Sequence, residues 1–534
     1  MTRISITTDV DAGTISRHIY GHFAEHLGRC IYDGIFVGED STIPHVRGIR
    51  TDIVEALKGI RIPNLRWPGG CFADDYHWMD GIGPRSERPK LVNHHWGRVV
   101  EDNSFGTHEF MDLCDQLDTE PYICGNVGSG SPHEMQQWVQ YLTAPEGPMA
   151  DLRAANGRAK PWKVRMWGVG NENWTCGGYM RPEFYADLYR QHVTYLRNLG
   201  ENRLYKVACG PYGDDLHWTD VLMRETQPRR LMHGLGMHFY CGSGREKQLA
   251  TDGTEDDWYF LLNTANRMDS LLKQQIAVMD RWDPEDRVGM LVDEWGTWHE
   301  VETDTNPGFL YQQNTIRDAL AASLTLDIFN RHCRRVHGAN IAQTVNVLQA
   351  MILTEQEKML LTPTYHVFEM YVPHHDATCL PCYVEAGTLG EGDTQVPAIS
   401  ASASRADDGS VHVTMTNLSV TESIDVAVAL HGVQGNDCTA RILTGDALNS
   451  HNTFDAPDTV TAAGVLKSGA EVSYQVASVP FNASGTRIEI YGRKGTLVLT
   501  SNSVNIGPSQ LHLAIGDAEL AEFSPPDIYQ LIPA

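Results

Sequence analysis

The stretch Val164–Asn173 reads VRMWGVGNEN, a short apolar run that ends in a cluster of polar residues. Runs of this kind recur from residue 15 to about residue 370, and stretches with helical periodicity lie between them. The eight candidate strands are His18–Glu25, Pro63–Trp67, Pro121–Asn126, Val164–Gly170, Tyr205–Gly210, Leu235–Tyr240, Gly289–Glu294 and Ile341–Val347. The candidate helices include Phe105–Leu117, Phe184–Leu199, Asp257–Trp282 and Tyr311–His332.

Eight strands that alternate with helices predict an α/β fold with a parallel sheet, and eight strands close a (β/α)8 TIM barrel. The alternative is a doubly wound open sheet. It is disfavoured because the first candidate strand is not followed by the G-x-G-x-x-G fingerprint of dinucleotide-binding folds. The sequence therefore predicts a barrel whose active site is built from the carboxyl ends of its strands.

The pattern changes after about residue 373, where short segments alternate apolar and polar residues and are separated by Gly, Asn, Asp and Ser. These segments are Val411–Asn417, Ile424–Leu430, Cys438–Leu443 and Val472–Val476. They predict short antiparallel strands in a C-terminal, jelly-roll-like β-sandwich. Because Ile4–Asp9 is also strand-like, we expect residues 1–14 to join the sandwich, 15–370 to form the barrel, and 371–534 to form the sandwich with an atypical tail.

The composition limits the partners of the chain. It carries 42 Lys and Arg against 68 Asp and Glu, a formal net charge of −26. Nucleic acids and anionic membrane surfaces both reward basic patches, so this acidic balance argues against either as a partner. All twelve tryptophans lie between Trp67 and Trp298, which places a surface suited to sugars in the barrel part of the chain.

The N-terminal segment lacks the apolar core of a secretory signal, and no long apolar run predicts a membrane span. We therefore expect a cytoplasmic protein in which the eleven cysteines are reduced thiols. The closely spaced Cys379 and Cys382 are interpreted as buried or solvated thiols, because no second pair completes a zinc site.

Two glutamates stand at matched strand ends. Glu172 follows the fourth candidate strand and Glu294 ends the seventh, and these strands face each other across an eight-stranded barrel. Cleavage of a glycosidic bond needs such a pair, one carboxylic acid to protonate the leaving oxygen and one carboxylate to attack or to activate water. A gap of ~5 Å predicts retention of configuration, and one of ~6.5–9.5 Å predicts inversion. The alternative is that either glutamate is a buried ion-pair partner of Arg66 or Arg165.

Five motifs resemble the α-L-arabinofuranosidases of glycoside hydrolase family 51. They are Gly21–Arg29 (GHFAEHLGR), Arg66–Phe72 (RWPGGCF), Trp167–Asn173 (WGVGNEN), Asp293–Trp295 (DEW) and Ala339–Val347 (ANIAQTVNV). They occur in the family's order at barrel spacing, and the similarity extends from about residue 15 to 370. The resemblance implies a retaining mechanism in which Glu172 is the general acid/base and Glu294 the nucleophile.

The resemblance also implies the sugar contacts and the assembly. Hydrogen bonds to the furanose hydroxyls are expected from Glu25, Asn171, Tyr240 and Gln343. Cys71 is expected to line the same pocket, and it departs from the family because many members carry Asn at this position. The family implies no cofactor and no metal, arabinofuranosyl-containing oligosaccharides as partners, and an intracellular homo-oligomer, often a hexamer.

Each of these residues has a structural alternative. Tyr240 is expected to hydrogen-bond the nucleophile and keep it ionised, and the alternative is a core tyrosine. Asn171 is expected to donate to the sugar 2-hydroxyl, and otherwise would cap the strand end. Glu25 would otherwise pair with Arg29. Sugar-facing roles are expected for two further aromatic residues, Trp295 and Trp298, for which the alternative is packing. His22 and His26 lie at a strand end, so their H-x-x-x-H spacing does not favour zinc.

Three other functions remain open at this level. The same carboxylate pair also serves β-xylosidases, endoglucanases and galactofuranosidases. A carbohydrate-binding or scaffold protein is disfavoured because both glutamates, Asn171 and Tyr240 are present. The tail from about residue 480 faintly resembles the sheet domain of sugar-handling NAD-dependent dehydrogenases, which the missing nucleotide fingerprint argues against. The natural substrate, arabinoxylan or arabinan, is not fixed by the sequence.

Overall fold

A computed structural model describes residues 2–242, 244–433, 438–468, 471–473, 486–492, 495–501, 509–515 and 521–522. Side-chain environments are described as far as residue 462, residues 434–438 excepted. Residues 474–476 of the predicted strand Val472–Val476 lie outside the described part, as does much of the tail after residue 480.

The predicted (β/α)8 barrel is confirmed, because eight parallel strands close on themselves. They are Gly21–Phe23, Asn64–Trp67, Glu120–Gly125, Met166–Val169, Tyr205–Ala208, Gly234–Gly242, Gly289–Trp298 and Val336–Ala342. The last strand begins five residues before the predicted range Ile341–Val347 and overlaps it only at Ile341 and Ala342. Val345 and Val347 are fully buried in the loop that follows this strand, and a buried loop has the same apolar composition as a buried strand.

Nine α-helices surround the barrel in the described part of the chain. They are Thr51–Gly59, Thr107–Leu117, Pro132–Thr143, Pro148–Ala155, Pro182–Tyr195, Leu216–Thr226, Glu255–Trp282, Ile316–Arg331 and Pro363–Tyr371. The longest begins with a capping box in which Thr254 and Asp257 satisfy each other's backbone N–H groups. None of the described helices is long and apolar enough to cross a lipid bilayer.

The remaining strands form small sheets, most of them after the barrel. Three sheets are made of Thr2–Thr7 with Cys382–Glu385 and Val426–His431, of Thr378–Cys379 with Ile399–Arg405 and Val411–Asn417, and of Cys438–Leu443 with Ala462–Ser468. A five-stranded antiparallel sheet contains Glu471–Ser473, Thr486–Gly492, Gly495–Ser501, Ser509–Ile515 and Ala521–Glu522. Two-stranded pairs are His45–Val46 with Ile49–Arg50, Leu91–Val92 with Val100–Glu101, Ile352–Glu355 with Lys358–Leu361, and Thr388–Leu389 with Val396–Pro397.

The N-terminal strand pairs into the C-terminal sheets, as the sequence predicts. It is antiparallel to Cys382–Glu385 but parallel to Val426–His431, whereas the pattern predicted antiparallel strands throughout. Ile4 and Ile6 are fully buried and pack with Leu380, Ile399 and their neighbours in a core separate from that of the barrel. The first residues of the chain are therefore part of the second core.

A buried carboxylate joins the barrel to these sheets. The helix Ile316–Arg331 is buried along almost its whole length, and Asp327 on it is fully buried. Four hydroxyl groups donate to this carboxylate, those of Tyr371 at 2.7 Å and of Ser400, Ser402 and Thr414 at 2.8 Å each. Burial raises the pKa of Asp327, and the hydroxyl donors oppose that shift by stabilising the ionised form.

We expect Asp327→Ala to destabilise the protein by about 3 kcal/mol or more, because four buried hydroxyls lose a shared acceptor. Asp327→Asn should cost less, since its amide keeps one acceptor and its NH2 group can donate to hydroxyl oxygens. Thermal unfolding of both variants measures the difference. An Asp327→Ala protein as stable as the wild type would show that this carboxylate does not stabilise the contact between the barrel and the C-terminal sheets.

Candidate active site

The polar strand ends meet at one mouth of the barrel. Glu172 lies three residues beyond the fourth strand, and Glu294 lies within the seventh. One carboxylate oxygen of each and a ring nitrogen of His238 all lie within 4.8 Å of one another. Glu172 has the left-handed backbone conformation, with φ of 41°, two residues after Gly170, whose φ of 83° is also positive. The sequence-derived pair is thus brought together in space.

Glu294 is held by two donors. Arg66 donates from Nη1 to Oε1 at 2.9 Å, and the Tyr240 hydroxyl donates to Oε2 at 2.9 Å. Burial raises the pKa of Glu294, while His238, Arg66 and Tyr240 act to lower it. The ion pair with Arg66 that was the structural alternative therefore exists, and it favours the ionised form of this carboxylate.

His238 bridges the carboxylates. Its Nδ1 lies 2.7 Å from Glu172 Oε1 and 3.5 Å from Glu294 Oε2, and its Nε2 lies 3.4 Å from Asp293 Oδ1. Burial alone would lower the pKa of His238, but Glu294, Asp293 and Glu172 raise it to about 10. His238 lies within the predicted strand Leu235–Tyr240, and the sequence analysis assigned it no role.

Asn171 is oriented from both sides. Its Oδ1 accepts from Arg66 Nη2 at 2.6 Å, and its backbone N–H donates to Asp74 Oδ2 at 2.7 Å. Among the described residues, the side-chain NH2 group has no partner although it is buried. An amide with its oxygen fixed in this way presents its N–H groups to an incoming acceptor.

Glu25 and Gln343 form a second polar group at the mouth. Gln343 donates from Nε2 to Glu25 Oε2 at 3.1 Å and accepts from the Glu25 backbone N–H at 3.2 Å. Phe72 N and Trp96 Nε1 donate to Glu25 Oε1 at 3.0 and 2.9 Å. Burial, reinforced by the negative charge of Glu294, raises the pKa of Glu25 to about 7. The alternative pairing with Arg29 is not formed, because Arg29 donates to the Thr354 carbonyl at 3.0 Å.

The expectation that every cysteine is a free thiol is wrong for two of them. Cys71 and Cys176 form a disulfide across 105 positions of sequence, and both are half-buried. Cys176 Sγ lies 3.7 Å from Glu172 Oε2. Neither partner stands near the other in the sequence, so only the folded barrel brings them together. Cys379 and Cys382 are free thiols, as predicted.

The chain matches two family profiles and a named bacterial enzyme. Residues 56–202 match the profile of the α-L-arabinofuranosidase 1 domain, and residues 293–479 match that of the α-L-arabinofuranosidase C-terminal domain. A protein of Bacteroides ovatus named intracellular exo-alpha-L-arabinofuranosidase is 49% identical over 465 residues, which are 86% of this chain and 90% of that protein.

The chain belongs to the α-L-arabinofuranosidases of glycoside hydrolase family 51. Two solved family members have the same architecture. The family 51 arabinofuranosidase of Xanthomonas axonopodis pv. citri is 47% identical with a TM-score of 0.86, covering 90% of this chain and 98% of that one. The Thermotoga maritima α-L-arabinofuranosidase, solved as an arabinose complex, is 30% identical with a TM-score of 0.79 and the same coverage. The resemblance inferred from five motifs is thus confirmed, and the chain is a glycoside hydrolase.

The sugar-facing role expected of Trp295 in this family 51 chain is wrong. Trp295 is 2% exposed and packs against Phe329 and Phe368 outside the barrel. Its ring therefore lies on the helix-facing side of the seventh strand, whereas Asp293 and Glu294 before it both reach His238. Trp298 instead stands edge-on to Tyr240 at 5.1 Å and is partly exposed.

Three further residues of the family 51 site were missed. Trp96 reaches Glu25 from a loop with no strand-end signal, and Asp74 lies four residues past Gly70, just beyond the RWPGGCF motif. Asp293 was seen only as the neighbour of Glu294, yet it accepts from the Tyr122 hydroxyl at 2.7 Å. The sequence offered one sign of its importance, since Asp293 stands next to Glu294, a predicted catalytic residue.

The two tryptophans give a matched test on this chain. Trp298→Ala should raise KM for an aryl α-L-arabinofuranoside about fivefold or more, because an aromatic face worth roughly 1 kcal/mol is removed from the mouth. Trp295→Phe should lower thermal stability and leave KM unchanged. Steady-state kinetics and melting curves on both variants check this, and a KM effect confined to Trp295→Phe would reverse our assignment.

Proposed function

We propose that this chain is a retaining, exo-acting α-L-arabinofuranosidase that releases terminal arabinofuranose from arabinose-containing oligo- or polysaccharides. The observation that carries the proposal is the separation of the two carboxylates. Oxygens of Glu172 and Glu294 lie within 4.8 Å, which is close to the ~5–5.5 Å of retaining glycosidases and below the range of inverting ones. The names of the Bacteroides, Xanthomonas and Thermotoga relatives support the sugar.

The reaction takes two displacements. In the first, a Glu294 oxygen forms a bond to the anomeric carbon, the glycosidic bond breaks, and the proton of Glu172 passes to the leaving oxygen. In the second, the Glu172 carboxylate takes a proton from water, whose oxygen displaces Glu294 from the anomeric carbon. Two inversions return the original configuration, and Glu172 regains its proton.

Charges at the mouth support these roles. Arg66 and Tyr240 hydrogen-bond both oxygens of Glu294, which suits a carboxylate that must be ionised to attack. Glu172 must instead start protonated. Its 2.7 Å contact with His238 Nδ1 lets the two groups share one proton, with the far ring nitrogen near the Asp293 carboxylate. We assign His238 the role of keeping this proton in place.

The sugar would lie between these carboxylates and the group around Glu25. The unpartnered amide N–H groups of Asn171 suit the 2-hydroxyl, and Glu25 with Gln343 suits the remaining ring hydroxyls. Many relatives carry Asn at position 71, whereas the Cys71–Cys176 disulfide offers no side-chain N–H donor. This side of the pocket is therefore proposed to recognise the sugar by shape. Trp298 is proposed to contact sugar C–H groups.

We also propose the division into an N-terminal strand (1–14), a catalytic barrel (15–370) and a C-terminal β-sandwich (371–534). Pairing of Thr2–Thr7 with strands after residue 381 supports it. A cytoplasmic location is supported by the name of the Bacteroides relative. A homo-oligomer, hexameric by family resemblance, stays a prediction.

A panel of aryl glycosides tests the activity. We expect hydrolysis of the α-L-arabinofuranoside and much slower turnover of β-xylosides, β-glucosides and β-galactofuranosides. Preference for any of the latter would favour a different member of the same clan. Failure to hydrolyse any of them would favour a binding protein.

The roles of the two carboxylates can be distinguished by comparing variants on substrates with different leaving groups. Glu172→Ala should lower kcat/KM for arabino-oligosaccharides on the order of 10³-fold, because their alkoxides need a proton to depart. A 2,4-dinitrophenyl arabinofuranoside needs little protonation, so its kcat/KM should fall far less. Azide should restore its turnover, since azide needs no general base, and the product should be the α-azide of retained configuration.

Glu294→Ala is the matched control. It should abolish hydrolysis of both substrates, because no glycosyl-enzyme can form, and azide rescue should give the inverted β-azide. Equal losses for both substrates in Glu172→Ala, without an azide response, would contradict the assigned roles.

Tyr240→Phe tests the environment of the nucleophile. Loss of its hydrogen bond raises the pKa of Glu294, and only ionised Glu294 attacks. The acidic limb of the kcat/KM profile should therefore move to higher pH by about one unit, equivalent to about 1.4 kcal/mol. The basic limb should stay in place. A shift of the acidic limb to lower pH would show that Tyr240 does not stabilise the ionised form.

A further inference from the structure

The Cys71–Cys176 disulfide connects the loops that follow the second and fourth barrel strands. Cys71 begins the short 3-10 turn Cys71–Asp74 after the second barrel strand. Cys176 lies four residues after Glu172, in the loop that follows the fourth strand. Its Sγ is 3.7 Å from Glu172 Oε2, and because a disulfide sulfur carries no proton this is a van der Waals contact. The bond therefore lies against the carboxyl group proposed as acid/base.

The turn Cys71–Asp74 also holds the loop that contains Glu172 through hydrogen bonds. Asp74 is buried, and its Oδ2 accepts from the Asn171 backbone N–H at 2.7 Å and from Asn173 Nδ2 at 3.1 Å. Its Oδ1 accepts from the backbone N–H groups of Val127 and Gly128 at 2.6 and 2.8 Å. The residues on either side of Glu172 are thus tied to the 71–74 turn by hydrogen bonds, and the end of its loop by a covalent bond.

Glu172 has a particular need of such restraints. Its φ of 41° lies in the left-handed region, which a non-glycine residue keeps only where its surroundings enforce it. Beyond it the loop closes tightly, since Thr175 and Gly177 both donate backbone hydrogen bonds to the Glu172 carbonyl, at 2.7 and 3.1 Å. Opening the disulfide frees this closed segment at Cys176, while Asp74 still holds Asn171 and Asn173.

We propose that the Cys71–Cys176 disulfide is a positioning element for Glu172, and that its reduction selectively weakens proton donation to the leaving group. The inference rests on the proposed acid/base role of Glu172. The bond is half-buried beside the mouth of the barrel, so a small dithiol reductant can reach it.

Reduction has a balanced chemistry and two effects on Glu172. The reductant supplies two electrons and two protons and becomes a disulfide, the Cys71–Cys176 bond breaks, and two thiols form. The loop after Glu172 is released from the 71–74 turn. The new Cys176 thiol is also a donor within reach of Oε2, and a hydrogen bond to a carboxylate favours its ionised form. Both effects oppose delivery of a proton from Glu172, and neither touches the donors to Glu294.

The experiment uses the full-length enzyme with and without a water-soluble dithiol under native conditions. Thiol titration and mass spectrometry verify that this bond has opened. We measure kcat/KM, which reports steps up to glycosylation, for a phenyl and a 2,4-dinitrophenyl α-L-arabinofuranoside. Reduction should lower kcat/KM about tenfold or more for the phenyl substrate, within the range that general-acid catalysis supplies, and less than about twofold for the activated one. Reoxidation should restore the loss.

Two variants serve as controls. The Cys71→Ala/Cys176→Ala enzyme should show the selectivity of the reduced enzyme and no response to reductant. Cys382→Ser, at a free thiol in the C-terminal sheets, should respond to the dithiol as the wild type does. If the double variant does not fold, the dithiol and reoxidation series on the wild type still decides.

Equal losses on both substrates, or no loss after the bond has opened, would overturn the positioning role. Glu172→Gln separates this outcome from failure of the proposed function. If Glu172→Gln discriminates between the two leaving groups while reduction does not, only the disulfide inference fails. If Glu172→Gln shows no discrimination, the acid/base assignment itself fails.

Discussion

The active site depends on one buried cation. Arg66 donates one hydrogen bond to Glu294 and another to Asn171, and its face lies 4.7 Å from the ring of Phe23. A barrel mouth that buries several carboxylates is costly unless positive charge compensates them. Arg66 provides that compensation from the second strand, and His238 adds to it from the sixth. With the guanidinium in place, Glu294 can be ionised although it is buried, and the Asn171 amide is oriented by the same group.

The fold and the position of the carboxylate pair could be predicted because both follow from periodicity. Apolar runs that end in polar clusters identify parallel strands, and parallel strands bring their carboxyl ends to one mouth. This argument places Glu172 and Glu294 together although they are 122 positions apart in sequence. The same argument does not tell which side chains of a strand face the mouth, so it did not reveal that Trp295 is buried against helices while Asp293 and Glu294 reach His238. The last barrel strand was misplaced because Val345 and Val347 are buried in a loop rather than a strand.

What the sequence did not reveal depends on contacts between segments. The disulfide was missed because cysteine redox state was argued from compartment, and the pairing of Cys71 with Cys176 arises only when two loops meet. Trp96 and Asp74 act through loops that carry no strand-end signal, and only the folded chain brings them to Glu25 and Asn171. The position of His238 in a barrel strand could be predicted from the sequence. Its role depends on the three carboxylates that lie close to its ring, which only the folded chain shows.

The pairing of Thr2–Thr7 has a consequence for synthesis. This strand lies between Cys382–Glu385 and Val426–His431, so its partners leave the ribosome only after more than 370 further residues have been made. At about 5–20 residues per second, the strand waits roughly 20 to 80 s with Ile4 and Ile6 uncovered. The barrel is complete before then, because its strands end at Ala342. The second core is therefore closed by a segment that is translated before the whole barrel, and that segment needs protection from non-native pairing until the sheet is translated.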